Sequence, residues 1–120
     1  MVMINWRDVK PQIVHDAGID FQLLKGQGFA DPNLPTACMQ GMYYVAYAML
    51  PQGRSYHPHC HDDHEEVYYI IKGHGEMVVD EECRPIRDGD IIYIGKNQIH
   101  SICNTGEDDF IEFLAFASQC

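Results

Sequence analysis

Short runs in which apolar and polar residues alternate fill most of this chain, and turn-forming residues separate them at close intervals. Alternation with a period of two is typical of strands, and many short strands with frequent turns indicate a sandwich or a barrel. We predict strands at residues 19–24, 41–50, 55–61, 66–71, 76–80, 83–86, 91–94 and 110–117. The pattern therefore predicts an all-β fold.

The first forty residues are patterned less clearly than the rest. Residues 1–25 are predicted to form an irregular or partly stranded arm, because Pro11 opposes a long helix. Turn-forming residues fill the segment 26–35, which is either a plain connection or a flap over the mouth of a barrel. The length of 120 residues favours one domain at 1–120, with an N-terminal arm and strand at 1–40 and a barrel core at 41–117.

Composition and charge disfavour several classes of partner. The net charge of -10 opposes binding to nucleic acid or to an anionic membrane surface, because both need basic residues. No run approaches the ~18 apolar residues of a membrane span, and the N-terminus lacks the pattern of a signal peptide. The five cysteines include no C-x-x-C pair, which fits reduced thiols. We therefore expect a cytoplasmic protein with no membrane or nucleic-acid partner.

Candidate chemistry is concentrated between Gly53 and Gly73, where four histidines and four acids fall within ten positions. Neutral imidazoles and a carboxylate are ligands that suit a first-row divalent metal ion. On an extended segment, His57, His59 and His61 would share one face. Two imidazoles could then reach one ion, and a carboxylate on the next strand could be a third ligand. The alternative is a polar surface turn that leads into a strand.

Two spaced motifs resemble the two signatures of the cupin superfamily, in the form found in its small single-domain members. The first signature places two histidines, a glutamate and two flanking glycines at fixed spacing, and it is met by Gly53, His59, His61, Glu66 and Gly73. The second signature follows in order and is met by Gly89, His100 and Asn104. Gly95 and Asn97 stand where the family usually has Pro and Gly, and both residues tolerate a tight turn.

This resemblance implies a small jelly-roll (double-stranded β-helix) cupin barrel that binds one divalent transition metal ion per chain, which could be Fe, Mn, Ni, Co or Zn. The implied metal ligands are His59, His61, Glu66 and His100. The family's spacing selects Glu66 rather than Glu65, and strand periodicity agrees if Glu66, Tyr68 and Ile70 face the interior. Such a ligand set leaves coordination positions open, as catalytic sites do.

Tyr68 and His57 are the candidate catalytic residues, as groups that could move a proton or bind a substrate beside the ion. Packing inside the barrel is the alternative role for Tyr68, and plain exposure at the barrel rim is the alternative for His57. His64 matches no ligand position and is assigned to a turn. His15 and His74 have no partner that the sequence identifies.

The cupin resemblance implies a range of functions, from dioxygenases, isomerases and lyases to binding and storage proteins, and the fold does not choose among them. We expect a metal-dependent enzyme, an oxygenase or a lyase or isomerase, that acts on a polar or anionic small molecule. The alternative is a non-catalytic module that binds or senses a small ligand. The apolar runs at 42–50 and 110–117 also predict a homodimer, with the residues before Gly26 packed on the partner.

Overall fold

The structure is a computed structural model that describes residues 1–28, 31 and 33–119. Its elements, in chain order, are η1 (Trp6–Asp8), β1 (Gln12–Val14), β2 (Gly18–Gly26), β3 (Ala37–Met39), β4 (Met42–Pro51), β5 (His64–Lys72), β6 (His74–Val79), β7 (Glu82–Arg87), β8 (Ile91–Ile94), β9 (His100–Cys103) and β10 (Phe110–Gln119). The all-β prediction is confirmed. Within the described residues, no helix is long and apolar enough to cross a membrane.

The strands form two sheets that enclose one interior. The larger sheet has the order β1-β2-β4-β10-β5-β8, with the short β3 paired in parallel to β2. The smaller sheet has the order β7-β6-β9. Strands that are distant in sequence lie side by side, since β10 runs between β4 and β5. These crossovers between two antiparallel layers are those of a jelly roll, as the cupin resemblance implied.

Alternation along β5 decides which side chains enter the barrel. Glu66, Tyr68 and Ile70 are 3%, 2% and 0% exposed, whereas Tyr69 and Ile71 are each 41% exposed. The predicted inward set is therefore confirmed. It places one carboxylate at the edge of an apolar interior whose largest fully buried apolar side chains are Phe113, Leu50, Ile70, Ile94, Ile102 and Ile111.

The predicted strand at residues 55–61 is wrong. Isolated bridges to β9 occur in this segment instead of a continuous ladder. Pro58 has no amide proton to donate, and the amide of His57 donates to the carbonyl oxygen of His15 at 3.0 Å. The two-residue alternation is lost at this point, so His57 is exposed and does not share the face of His59.

The turn before β9 carries the variant residues of the second motif. Asn97 has a φ of 63°, in the left-handed region that Asn tolerates. The backbone amide of Asn97 donates to the carbonyl oxygen of His61 at 2.7 Å. The backbone amide of Gly95 donates to Oε1 of Gln98 at 2.7 Å. The predicted turn is confirmed, and it ties the start of β9 to the histidine-rich segment.

The N-terminal arm packs on the outside of the larger sheet. The ring of Trp6 stacks on Tyr47 with centroids 4.8 Å apart and meets Phe21 edge-on at 5.1 Å. β1 and β2 then form a hairpin that extends the sheet beyond β4. The predicted connection or flap at 26–35 falls partly on residues 29, 30 and 32, which lie outside the described residues.

A close approach of strands gives a test of the fold. A Cβ atom added at Gly75 would lie 2.1 Å from the carbonyl oxygen of Cys103 and 2.7 Å from Cδ1 of Ile111. Gly75→Ala should lower the free energy of unfolding by about 1–3 kcal/mol, because the backbone of Cys103 cannot shift without disturbing its ladder. Urea denaturation at one fixed protein concentration measures this change.

Gly41→Ala is the matched control for that substitution. An added Cβ at Gly41 meets nothing within 4 Å, so the free energy of unfolding should change by less than about 0.5 kcal/mol. Equal effects at the two glycines would contradict the packing described here.

Candidate metal site

Four side chains from three parts of the chain meet inside the barrel. His59 and His61 lie on the irregular segment before β5, Glu66 lies on β5, and His100 begins β9. One ligand atom from each residue lies within 4.8 Å of those of the other three. Glu66 and His100 are 3% and 1% exposed, and the other two are partly buried. The structure thus brings together the four residues that the cupin resemblance implied as ligands.

Backbone carbonyls orient two of these imidazoles. Nδ1 of His59 is 2.7 Å from the carbonyl oxygen of His57, and Nδ1 of His100 is 2.9 Å from the carbonyl oxygen of Gln98. A carbonyl oxygen can only accept a hydrogen bond, so each Nδ1 carries the proton and donates it. In the neutral ring each Nε2 then carries a free lone pair, which is the form in which imidazole binds a metal ion.

The atoms at the centre of the cluster are buried without hydrogen-bond partners. They include Nε2 of His59, Nε2 of His100 and Oε1 of Glu66. Oε1 lies 3.0 Å from Nε2 of His61 and 3.3 Å from Nε2 of His100, so either imidazole can pair with it when protonated. Buried lone pairs without partners are costly. A divalent cation among them would satisfy all of them, so the residues fit a metal ion.

The protonation states also suit a cation. Burial alone would raise the pKa of the Glu66 carboxyl, but the imidazoles of His100 and His61 and the hydroxyl of Tyr44 lower it well below its usual range. Tyr44 donates its O–H to Oε2 of Glu66, which leaves Oε1 for the cluster. Burial lowers the pKa of His59 to about 4. At neutral pH the cluster therefore offers an ionised carboxylate and at least one neutral imidazole.

A cavity of about 120 Å³ opens beside the carboxylate of Glu66. Phe113 and Ala115 of β10 form part of its wall. Its polar lining consists of Glu66, Tyr44 and five further residues, which are His15, Asp20, Gln22, Tyr56 and Tyr68. A small molecule in this cavity would therefore touch hydroxyls, an imidazole, an amide and a carboxyl group next to the cluster.

The two predicted catalytic residues lie in different places. Tyr68 lines the cavity and meets the ring of His100 edge-on at 6.3 Å. Burial raises the pKa of Tyr68 well above its ordinary value, so its phenol stays protonated and can donate a hydrogen bond. His57 is exposed and is not among the described residues that line the cavity. Its carbonyl group, rather than its ring, serves the site by holding His59. Both catalytic roles stay predictions.

Two further histidines, which the sequence left without a role, pack on the cluster. His15 stacks on His59 with ring centroids 3.6 Å apart and planes 11° apart, and His64 stacks on His61 at 4.3 Å and 27°. His64 begins β5 and is 8% exposed, so its assignment to a turn is wrong. Its place two residues before Glu66, on the inward face of β5, is the signal that could have found it.

His15 and Asp20 have no comparable signal in the sequence. Asp20 is 6% exposed and lies on β2 opposite Ala48 of β4, on the inward face. Alternation over residues 19–24 predicts that Asp20 and Gln22 share a face, but it does not say which face is inside. The remaining histidine, His74, lies elsewhere and pairs with Asp108 at 2.8 Å.

The chain is thus a small jelly-roll barrel, and three histidines and one glutamate form a candidate metal site inside it. The chain belongs to the cupin family, because the family model described as cupin domain matches residues 46–116. An uncharacterized protein of Methanocaldococcus jannaschii is 33% identical over 106 residues, which are 88% of this chain and 78% of that protein.

Two proteins of Thermotoga maritima are similar to this chain. Its oxalate-binding protein is 41% identical over 66 residues, which are 55% of this chain and 54% of that protein. The chain thus spans about half the length of this relative. The crystal structure of a predicted oxalate decarboxylase from the same organism has a TM-score of 0.81 and 25% identity, and the match covers 99% of this chain and 100% of that one.

Proposed function

We propose that the chain holds one divalent transition metal ion with His59, His61, Glu66 and His100, and that it binds a small carboxylate beside this ion. The observation that carries the proposal is the set of buried, unpartnered Nε2 and Oε1 atoms next to a polar cavity. When bound, the ion would supply a Lewis acid with open coordination positions for an oxygen ligand. Fe, Mn, Ni, Co and Zn all suit a donor set of imidazoles and one carboxylate.

Charge and size favour a small anion as the ligand. Glu66 is the one charged side chain among the four, so a divalent ion would keep a net charge of about +1. The cavity of about 120 Å³ is well below the roughly 300–1,000 Å³ of pockets that bury drug-sized ligands. The similarity to an oxalate-binding protein supports a carboxylate in particular.

Turnover of the bound molecule is the second candidate function, by a lyase, isomerase or oxygenase reaction. The observation that favours it is Tyr68, which lines the cavity and whose phenol stays protonated. A lyase or isomerase would need a group at the cavity that moves a proton, whereas an oxygenase would consume dioxygen. Oxygen uptake by the Fe(II)-loaded protein with small carboxylates separates these branches.

Loss of one ligand tests the metal site. His61→Ala should abolish stoichiometric metal binding, because the remaining three side chains hold a divalent ion much less tightly than four. Elemental analysis of protein purified without added ions measures the metal content. His57→Ala is the matched control, since its exposed ring lies two residues before His59 and only its carbonyl group contacts the cluster. Full metal content in His61→Ala, or none in the parent protein, would refute the assignment.

Ligand binding at the ion is tested on the Co(II)-substituted protein. Acetate or another small carboxylate should change the visible absorption of Co(II) with saturation, because an oxygen ligand alters the coordination of the ion. Acetamide, which has the size of acetate but no charge, is the control and should have little effect at the same concentration. If no small carboxylate changes the spectrum, the proposed ligand class is wrong.

We also propose that the protein is a homodimer formed through the outer face of the larger sheet. Val67 and Phe116 lie opposite each other on this face and are partly buried, and Tyr69 and Ile71 beside them are 41% exposed. β8 at its edge adds Ile91, which is 68% exposed. A contiguous apolar patch of this kind is typical of an interface between chains. Exchange of N-terminal residues with the partner stays a prediction, and in the single chain β2 pairs with its own β4.

Sedimentation at micromolar concentration should show a dimer, and Tyr69→Glu should shift the protein toward monomer. The reason is that a carboxylate at the centre of the patch would be buried without a partner in the dimer, while the outward position leaves the core of the barrel untouched. Glu107→Gln, an exposed change in the loop before β10, is the control. A stable monomer of the parent protein at this concentration would contradict the proposal.

A further inference from the structure

Asp20 is a buried acid that the candidate metal cluster does not use. It is 6% exposed, and its side chain lines the same cavity as Glu66. Nε2 of Gln22 donates to its Oδ2 at 2.7 Å. An acid on the inward face of a barrel costs free energy unless enough donors reach it. This cost indicates that Asp20 has a role other than packing.

The surroundings of Asp20 stabilise its charge incompletely. Burial raises the pKa of Asp20, and the hydrogen bonds from the side chains of Gln22 and Gln12 offset this only in part. A carboxylate has about four acceptor positions, so Asp20 could accept a further hydrogen bond from a molecule in the cavity that it lines. Hydroxyl groups are the natural donors, because a small neutral donor fits beside a carboxylate without adding charge.

A second carboxylate on the ligand would be disfavoured at this wall. A divalent ion with Glu66 as its one charged ligand would keep a net charge of about +1, which a single carboxylate on the ligand would balance. A monoanionic ligand then adds one negative charge next to the ion, whereas a dianion would bring a second one toward Asp20. Like charges at close range in a half-enclosed cavity repel each other strongly.

We infer that Asp20 determines specificity, by accepting a hydrogen bond from the hydroxyl group of a small hydroxy acid whose carboxylate lies at the metal cluster. This inference rests on the proposed function, because it assumes a carboxylate at the ion. It names the ligand class more narrowly, as monocarboxylates that carry a hydroxyl group. Asp20 binds the hydroxyl end of the ligand, while the metal cluster binds its carboxylate end.

Three three-carbon acids test this inference on the full chain loaded with Co(II). They are 3-hydroxypropionate, propionate and malonate, and their dissociation constants are measured by titration of the Co(II) absorption. The parent protein should bind 3-hydroxypropionate about tenfold more tightly than propionate, and more tightly than malonate. Asp20→Asn should weaken 3-hydroxypropionate about tenfold, since a charge-assisted hydrogen bond becomes a neutral one. It should leave propionate within about twofold and should not weaken malonate.

Asp16→Asn is the matched control, because Asp16 is an exposed acid on the same hairpin and Asn tolerates its left-handed φ of 67°. It should change none of the three affinities. Equal weakening of all three acids by Asp20→Asn would show a structural role for Asp20 and overturn the inference, as would no change at all. If Asp20→Asn does not fold, the parent protein decides, and equal binding of 3-hydroxypropionate and propionate overturns the inference. If the parent protein binds none of the three acids, the proposed function itself fails.

Discussion

The structure of the site depends on the burial of one charge, the carboxylate of Glu66. It is 3% exposed on an inward position of β5, and a carboxylate without partners there would cost several kcal/mol. The fold supplies those partners from distant parts of the chain. Tyr44 comes from β4, which lies across β10 from β5 in the same sheet, and His100 comes from β9 in the other sheet. The crossovers of the jelly roll are thus what allow a charged group to exist inside this barrel, and the same crossovers create the donor set for a cation.

Hydrogen bonds around the cluster determine which ring nitrogen each imidazole directs toward it. Carbonyl groups hold Nδ1 of His59 and of His100, and these carbonyls belong to residues whose own side chains do nothing in the cluster. The backbone amide of Asn97 donates a hydrogen bond to the carbonyl oxygen of His61. Orientation is therefore encoded in the backbone of two irregular segments. This explains why a break in the predicted strand, at Pro58, does not spoil the site: the ring of His59 is held by a carbonyl and not by a strand ladder.

The sequence predicted the frame of the molecule and its four central residues, but not the surroundings of the cluster. The spacing of the two cupin motifs selects Glu66 and His100, because such a signal depends only on fixed distances along the chain, and strand periodicity is consistent with an inward Glu66. His15 and Asp20 escape such signals, since their positions depend on how the N-terminal hairpin docks on β4. The assignment of His64 failed for another reason. The polar run at residues 62–64 predicts a turn, but β5 begins at His64 and tertiary contacts bury its ring.

The N-terminal hairpin lies outside the segment that matches the family model. The family match covers residues 46–116 and so includes the whole cluster, but it excludes His15 and Asp20. The turn of this hairpin holds His15 and Asp16 at φ values of 51° and 67°, a conformation that costs non-glycine residues of order 1–3 kcal/mol each. Arg54 offsets that cost by donating to the carbonyl of Asp16 at 2.8 Å, and the ring of His15 stacks on His59. A strained turn fixed from both sides places one cavity wall with little freedom. The hairpin can therefore set the shape and charge of this cavity wall while the four residues of the cluster stay the same.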